Sequence, residues 1–210
     1  MNDPRERPGM HDLTAPIGVI LAGGRGVRIG GSKAIVELRG KPLICYPLHA
    51  LQSVLEDVVV IAKPDTKLPS LPGVTVWIEP HPSYHPLIGI ADAIALAGGR
   101  PVLICAADLP FVTAEVVRMF AECDDRDAPA VIAAGGGRVQ PLLGRYQPNV
   151  PALLADVARN PTVRLVDAIA GLHPRIVELE DPEVLFNVNT PDDLLQASAM
   201  VGRRYPNVKS

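Results

Sequence analysis

No run of about 18 consecutive apolar residues occurs in this chain, so nothing in it reads as a membrane-spanning helix. It also has no basic excess. Its 20 Lys and Arg stand against 23 Asp and Glu, a net charge of −3, which argues against a general nucleic-acid binder. Aromatic residues reach only 4%, too few to lay out stacking platforms for single strands. Cysteine is sparse: Cys45, Cys105 and Cys123 are odd in number and form no C-x-x-C, which disfavours a disulfide frame or a zinc site and fits reduced thiols in a cytoplasmic protein. His81 and His85 lie four apart, but Pro82 between them interrupts any regular helix, so both read as loop histidines rather than zinc ligands. No Ser/His/Asp or Cys/His grouping assembles. The opening MNDPRERPGMHDLTAP lacks the apolar core of a secretory signal. Residues 1–15 read as a disordered leader, 16–200 as one domain and 201–210 as a tail.

Short apolar runs alternate with helical patterns along that domain. Ile17–Leu21, Asp57–Ala62 and Pro101–Ala106 lack polar alternation, as expected of strands buried on both faces of a parallel sheet. Val74–Ile78, Ala130–Ala134, Leu142–Tyr146 and Arg175–Leu179 read as further strands, with Gly135–Arg138 as a hairpin or a flap. Helices are expected from Pro42 to about Val54, kinked or shortened at Pro47, and over Leu87–Ala97 with a cap at Gly98-Gly99. Further helices are expected after the N-cap Thr113, over about Asn149–Ala158 and Thr162–Leu172, and from Thr190-Pro191 onward. Ala34–Leu38 reads as a short extended piece. Strands alternating with helices imply a mostly parallel sheet covered on both faces, with ligands at the carboxyl ends of the strands.

Gly18–Lys33, GVILAGGRGVRIGGSK, carries the strongest chemical signal. A strand runs into Gly23, Gly24, Gly26, Gly30 and Gly31, interleaved with Arg25 and Arg28 and closed by Lys33. Glycine lets main-chain N–H groups close on an anion, and the cations add full charges, so the stretch reads as a phosphate loop. It is not the G-x-x-x-x-G-K-[ST] loop, because the order here is Gly31-Ser32-Lys33. It is not G-x-G-x-x-G either, since Gly24-Arg25-Gly26 meets its next glycine only at position 30.

Two other segments complete the pattern. Asp108 follows an apolar strand in Cys105-Ala106-Ala107-Asp108-Leu109-Pro110. It either caps the next turn or, facing a phosphate loop, holds a hard divalent ion. In Asn187-Val188-Asn189-Thr190-Pro191-Asp192-Asp193, a helix start accounts for Thr190 onward but leaves the two asparagines unexplained.

Taken in order, G-G-x-x-x-R-x-G-x-x-K after Leu-Ala, D-x-P at a strand end and N-x-N-T-P-D-D-L make a chain that resembles the nucleotidyltransferases, most closely the molybdenum cofactor guanylyltransferases, from about Ile17 to Leu195. The resemblance implies a Rossmann-like three-layer α/β/α fold with a mostly parallel sheet. It implies transfer of GMP from GTP to molybdopterin, Mg²⁺-dependent, with release of pyrophosphate. Leu21, Ala22, Gly23, Gly24 and Arg25 would wrap the nucleotide, and Arg28 and Lys33 would grip its phosphates. Asp108 would bind the metal, with Asn189 beside it and Asn187 nearby. Pro86-Leu87-Ile88-Gly89 resembles the family's G-P-L-x-G near base and ribose, with His85 in place of the usual glycine. Gln140-Pro141-Leu142 resembles its acceptor-side strand, often His-Pro-Leu, and Arg164 is placed to reach the acceptor's phosphate or to lie on a helix surface. The chain departs from the family at Lys63, where Asn is common, and at Glu79-Pro80. Cytidylyl transfer to molybdopterin, guanylyl transfer to a phospholactate-like acceptor and a non-catalytic nucleotide-binding module stay open as alternatives. Other cofactor-biosynthesis proteins or apo-molybdoenzymes are the partners implied.

Overall fold

The computed structural model describes residues 14–23, 33–81, 83–123, 127–150 and 163–204. Among the described residues nine strands follow in chain order: β1 Ile17–Leu21, β2 Glu37–Leu38, β3 Lys41–Pro42, β4 Val58–Ala62, β5 Thr75–Ile78, β6 Val102–Ala106, β7 Ala130–Gly135, β8 Arg138–Tyr146 and β9 Arg175–Glu178. Seven of them form one sheet in the order β5-β4-β1-β6-β8-β7-β9, and β2 and β3 pair separately. β1 lies between β4 and β6, parallel to both, while β8 runs antiparallel to β6 and β7.

Side chains alternate across a strand, and each face of this sheet buries its own core. On one face Ile20, Val60, Leu103 and Cys105 pack with Leu48 and Leu51 of α1 (Cys45–Gln52) and Val117 and Phe120 of α3 (Ala114–Glu122). On the other, Val19, Ile61 and Ile104 pack with Leu87, Ile90 and Ile94 of α2 (Pro86–Leu96) and Ile169 of α4 (Leu165–Ala170). The fold is therefore α/β/α. Each fully buried aliphatic side chain contributes about 1.5–3 kcal/mol, so the apolar runs of β1 and β6 anchor both layers at once. A smaller cluster, Leu38, Phe111, Val188 and Met200, seats α5 (Pro191–Arg204) beside the β2–β3 ribbon.

The expected helix from Pro42 does not begin there. Pro42 pairs in β3, α1 starts at Cys45, and Pro47 falls in its first turn, where no intrahelical N–H is required, so nothing is kinked. Ala34–Leu38 is not one extended piece: a 3-10 turn over Lys33–Ile35 precedes β2. The 135–138 segment is a hairpin. Gly136 and Gly137 both have positive φ, 57° and 76°, as a two-residue turn of this hand demands. Residues 1–13 of the expected leader, 151–158 of the expected helix and 205–210 of the tail lie outside the described residues.

Candidate active site at the carboxyl edge of the sheet

Strand register gathers the site. Leu21 pairs with Ala106, so the chain leaving β1 and the Asp108 turn leaving β6 emerge side by side. The Ala107 N–H donates to the Leu21 carbonyl at 3.2 Å, and the Val188 N–H donates to the Asp108 carbonyl at 3.0 Å. The second bond stitches the 186–190 segment to the end of β6. Thr190 and Asp193 then fix the start of α5 reciprocally: the Asp193 N–H donates to Thr190 Oγ1, and Asp193 Oδ2 accepts from the N–H groups of Thr190 and Asn189. That cap holds Asn189 in place.

Lys33 Nζ donates to Asp108 Oδ2 at 2.6 Å and also to Asn189 Oδ1. Asn187 Nδ2 donates to the other carboxylate oxygen, Asp108 Oδ1, at 3.0 Å. Gln140 Nε2 donates to Asn187 Oδ1 at 2.7 Å, and Gln140 Oε1 accepts from the Leu142 N–H at 3.3 Å. Asp108 itself is 7% exposed. Under it, burial and then the negative charge of Asp108 push the Cys105 thiol far up.

The cleft beside this cluster is walled by Leu21, Ala22, Pro86, Gly89 and Leu142, with the main chain of Gly23 at its rim. Across the cleft stands a buried ion pair, Lys63 Nζ to Glu79 Oε2 at 2.6 Å. Lys63 also donates to the His81 carbonyl and lies 5.7 Å from the centre of the Tyr84 ring. A Cβ at position 23 would crowd Glu79 Oε1 and force that carboxylate to shift within its pair with Lys63. His85 caps α2: its Nδ1 accepts from the Leu87 N–H at 3.2 Å, and its Nε2–H therefore donates to the Val163 carbonyl at 2.9 Å. Its φ of −74° explains why glycine is not needed before Pro86. His81 Nδ1 faces the buried carboxylate of Asp92 at 2.5 Å.

The structure thus brings together Leu21, Ala22, Gly23, Lys33, Pro86 and Asp108 around one cleft, with Asn187, Asn189 and Gln140 linked to Asp108. Leu87 is not at the cleft: its side chain is wholly buried in the core, and Gly89 of the same helix lines the wall instead. Arg164 is exposed at the N-terminal boundary of α4. Gly24, Arg25 and Arg28 lie outside the described residues. The Lys63–Glu79 pair was missed in the sequence, although a signal existed. Each follows an apolar strand directly, and Ala62 and Ile78 are register partners, so the next residue on each strand must face the other.

Two carboxamide or carboxylate oxygens, Asp108 Oδ2 and Asn189 Oδ1, converge on a cation, the Lys33 ammonium. Among the described residues no three His, Cys, Asp or Glu side chains cluster into a closed metal cage. Such an open oxygen pair suits a hard ion that keeps waters and shares a substrate's phosphates, as Mg²⁺ does, rather than zinc.

A family model described as the MobA-like NTP transferase domain matches residues 18–170. A molybdenum cofactor guanylyltransferase of Rhizobium johnstonii is 33% identical over 195 residues, covering 86% of this chain and 90% of that protein. A protein of the same name from Rhizobium leguminosarum bv. trifolii is 32% identical over 194 residues, with 86% and 90% covered. Among solved structures, molybdopterin-guanine dinucleotide biosynthesis protein A from Archaeoglobus fulgidus superposes with a TM-score of 0.73 at 24% identity, covering 89% of this chain and 98% of that one.

Proposed function

Since the chain belongs to the MobA-like NTP transferase family, and is a nucleotidyltransferase, we propose that it transfers GMP from GTP to molybdopterin and releases pyrophosphate. The convergence of the Lys33 ammonium, the Asp108 carboxylate and the Asn189 carboxamide beside the cleft carries this reading. A bond forms between a phosphate oxygen of molybdopterin and the α-phosphorus of GTP. The bond from that phosphorus to the bridging oxygen of the β-phosphate breaks, and its electron pair leaves with pyrophosphate. Such an in-line displacement needs positioning and charge neutralisation more than a protein nucleophile.

The chain's own residues divide that work. Lys33 and Arg28 neutralise the β- and γ-phosphates, and main-chain N–H groups of the glycine-rich stretch, Gly24 and Arg25 among it, donate to them. The cleft between Leu21 and Gly89 takes the base, and Pro86 starts the helix under the ribose. Asp108 and Asn189 would hold Mg²⁺, which when bound would supply charge stabilisation to the phosphate oxygens. Gln140, Asn187 and Arg164 are assigned to the acceptor side. The chain works in the cytoplasm, consistent with three cysteines that form no disulfide, and hands its product to apo-molybdoenzymes or other proteins of the same biosynthesis.

Initial rates of pyrophosphate release with GTP, CTP and ATP, each against molybdopterin and a phospholactate-like acceptor, test the reading. GTP with molybdopterin should exceed every other pair. A faster rate with CTP, or with the alternative acceptor, would reassign the partners, and nucleotide binding without pyrophosphate release from any pair would make the chain a binding module.

A further inference from the structure

β8 carries an irregularity whose position bears on Asp108. Its register with β7 jumps between Gly144 and Gln140, so that Pro141 and Leu142 pair with neither neighbouring strand. Proline brings no N–H to a ladder, and bulges of this kind redirect a side chain. Here the Leu142 N–H is taken up by the Gln140 side-chain oxygen, and the Gln140 carboxamide nitrogen is turned toward Asn187.

A chain of carboxamides can run in either sense unless its ends are fixed, and both ends are fixed here. At one end the Leu142 N–H only donates, so Gln140 Oε1 must face it and Nε2 must face Asn187 Oδ1. At the other end the ionised Asp108 carboxylate only accepts, so Asn187 must present Nδ2 to Asp108 Oδ1. The carboxylate is then held by Oδ1, and Oδ2 is the oxygen turned to the cation now represented by Lys33.

We infer that Gln140 is a positioning residue which, through Asn187, fixes which oxygen of Asp108 faces the divalent ion. It does this in place of the acceptor contact assigned to it above. The inference rests on the reading that Asp108 binds the metal of a nucleotidyl transfer. Partners of this kind behind a ligating carboxylate typically change metal affinity or activity by about 10–100-fold when removed.

Calorimetric titration of the full chain with GTP, once with Mg²⁺ and once with EDTA, gives the metal-dependent gain in nucleotide affinity. Gln140→Glu sets an acceptor against Asn187 Oδ1 and should cut that gain about tenfold or more, with GTP binding in EDTA and thermal midpoint unchanged. Gln140→Ala removes the donor without repulsion and should cut it less, which keeps the test usable if the glutamate variant folds poorly. With Asn187→Ala already present, Gln140→Ala should add nothing, because its route to Asp108 is gone. Variants that keep the full gain but raise the KM for the acceptor would overturn the inference and leave the function standing. Wild-type protein with no metal-dependent gain, together with undiminished turnover in Asp108→Asn, would overturn both.

Discussion

Lys33 and Asp108 lie 75 positions apart in sequence, yet the lysine ammonium sits 2.6 Å from the carboxylate. The contact joins the residue that closes the glycine-rich stretch to the turn after β6, the juncture to which the proposed transfer is assigned. At 23% and 10% side-chain exposure the pair is screened only partly by water.

Lys33→Ala should therefore lower kcat/KM for GTP about tenfold or more, equivalent to about 1.4 kcal/mol of transition-state stabilisation. Steady-state pyrophosphate release measures it. An unchanged kcat/KM would remove Lys33 from the site.

The Lys63–Glu79 pair tests the cleft in a different way. Both side chains are nearly closed to solvent, so Lys63→Met leaves a buried carboxylate without its cation and should cost about 3–5 kcal/mol of stability. Replacing both residues, Lys63→Met with Glu79→Leu, should recover most of that loss, because desolvating the pair offsets much of its attraction. Urea unfolding midpoints compare the three proteins, and a double variant no more stable than the single one would contradict the pairing argument.

Much of the architecture and part of the site were legible in the sequence. Unbroken apolar runs marked β1, β4 and β6 as central strands, and parallel strands necessarily deliver their following loops to one edge. That placed the chain leaving β1 and Asp108 at one edge, while Asn189 was assigned there through the resemblance of its segment to the family's motif. Whatever depends on a local break in regularity was hidden. The direction of the Gln140 side chain comes from a bulge at Pro141, and no periodicity encodes a register jump. Pro47 read as a kink because the start of α1 was set three residues too early, at Pro42 rather than Cys45. Leu87 lies on the core face of α2 and Gly89 on its cleft face, a distinction that turns on helix rotation rather than on residue type.

Asp193 should make the start of α5 sensitive to acid. Burial alone would push its carboxyl up, but hydrogen bonds from the Asn189 N–H and from Thr190, with Lys33 nearby, outweigh this and hold it below its usual range. A carboxyl lowered on folding stabilises the protein above its unfolded value, about 3.9, and that stability drains away as pH falls through the lower folded value. Thermal midpoints from about pH 5 downward should fall more steeply for wild type than for Asp193→Asn. Parallel curves would show that the cap carries no such linkage.

Cys105 should resist thiol reagents in the folded protein. It is wholly buried, and burial followed by the charge of Asp108 pushes its thiol far above the range where thiolate forms near neutrality. Mass spectrometry after brief iodoacetamide treatment should find Cys45 and Cys123, both only partly buried, alkylated first. Early labelling of Cys105 would mean that the β6 end opens readily.

The most direct measurement is Mg²⁺-dependent pyrophosphate release by Asp108→Asn, read beside its GTP affinity in EDTA. Asparagine preserves the size of the side chain and removes its charge, so the protein should stay folded, bind GTP without metal as wild type does, and lose turnover by about 100-fold or more, roughly 2.7 kcal/mol. Turnover within a few-fold of wild type would contradict the assignment of this carboxylate to the reaction.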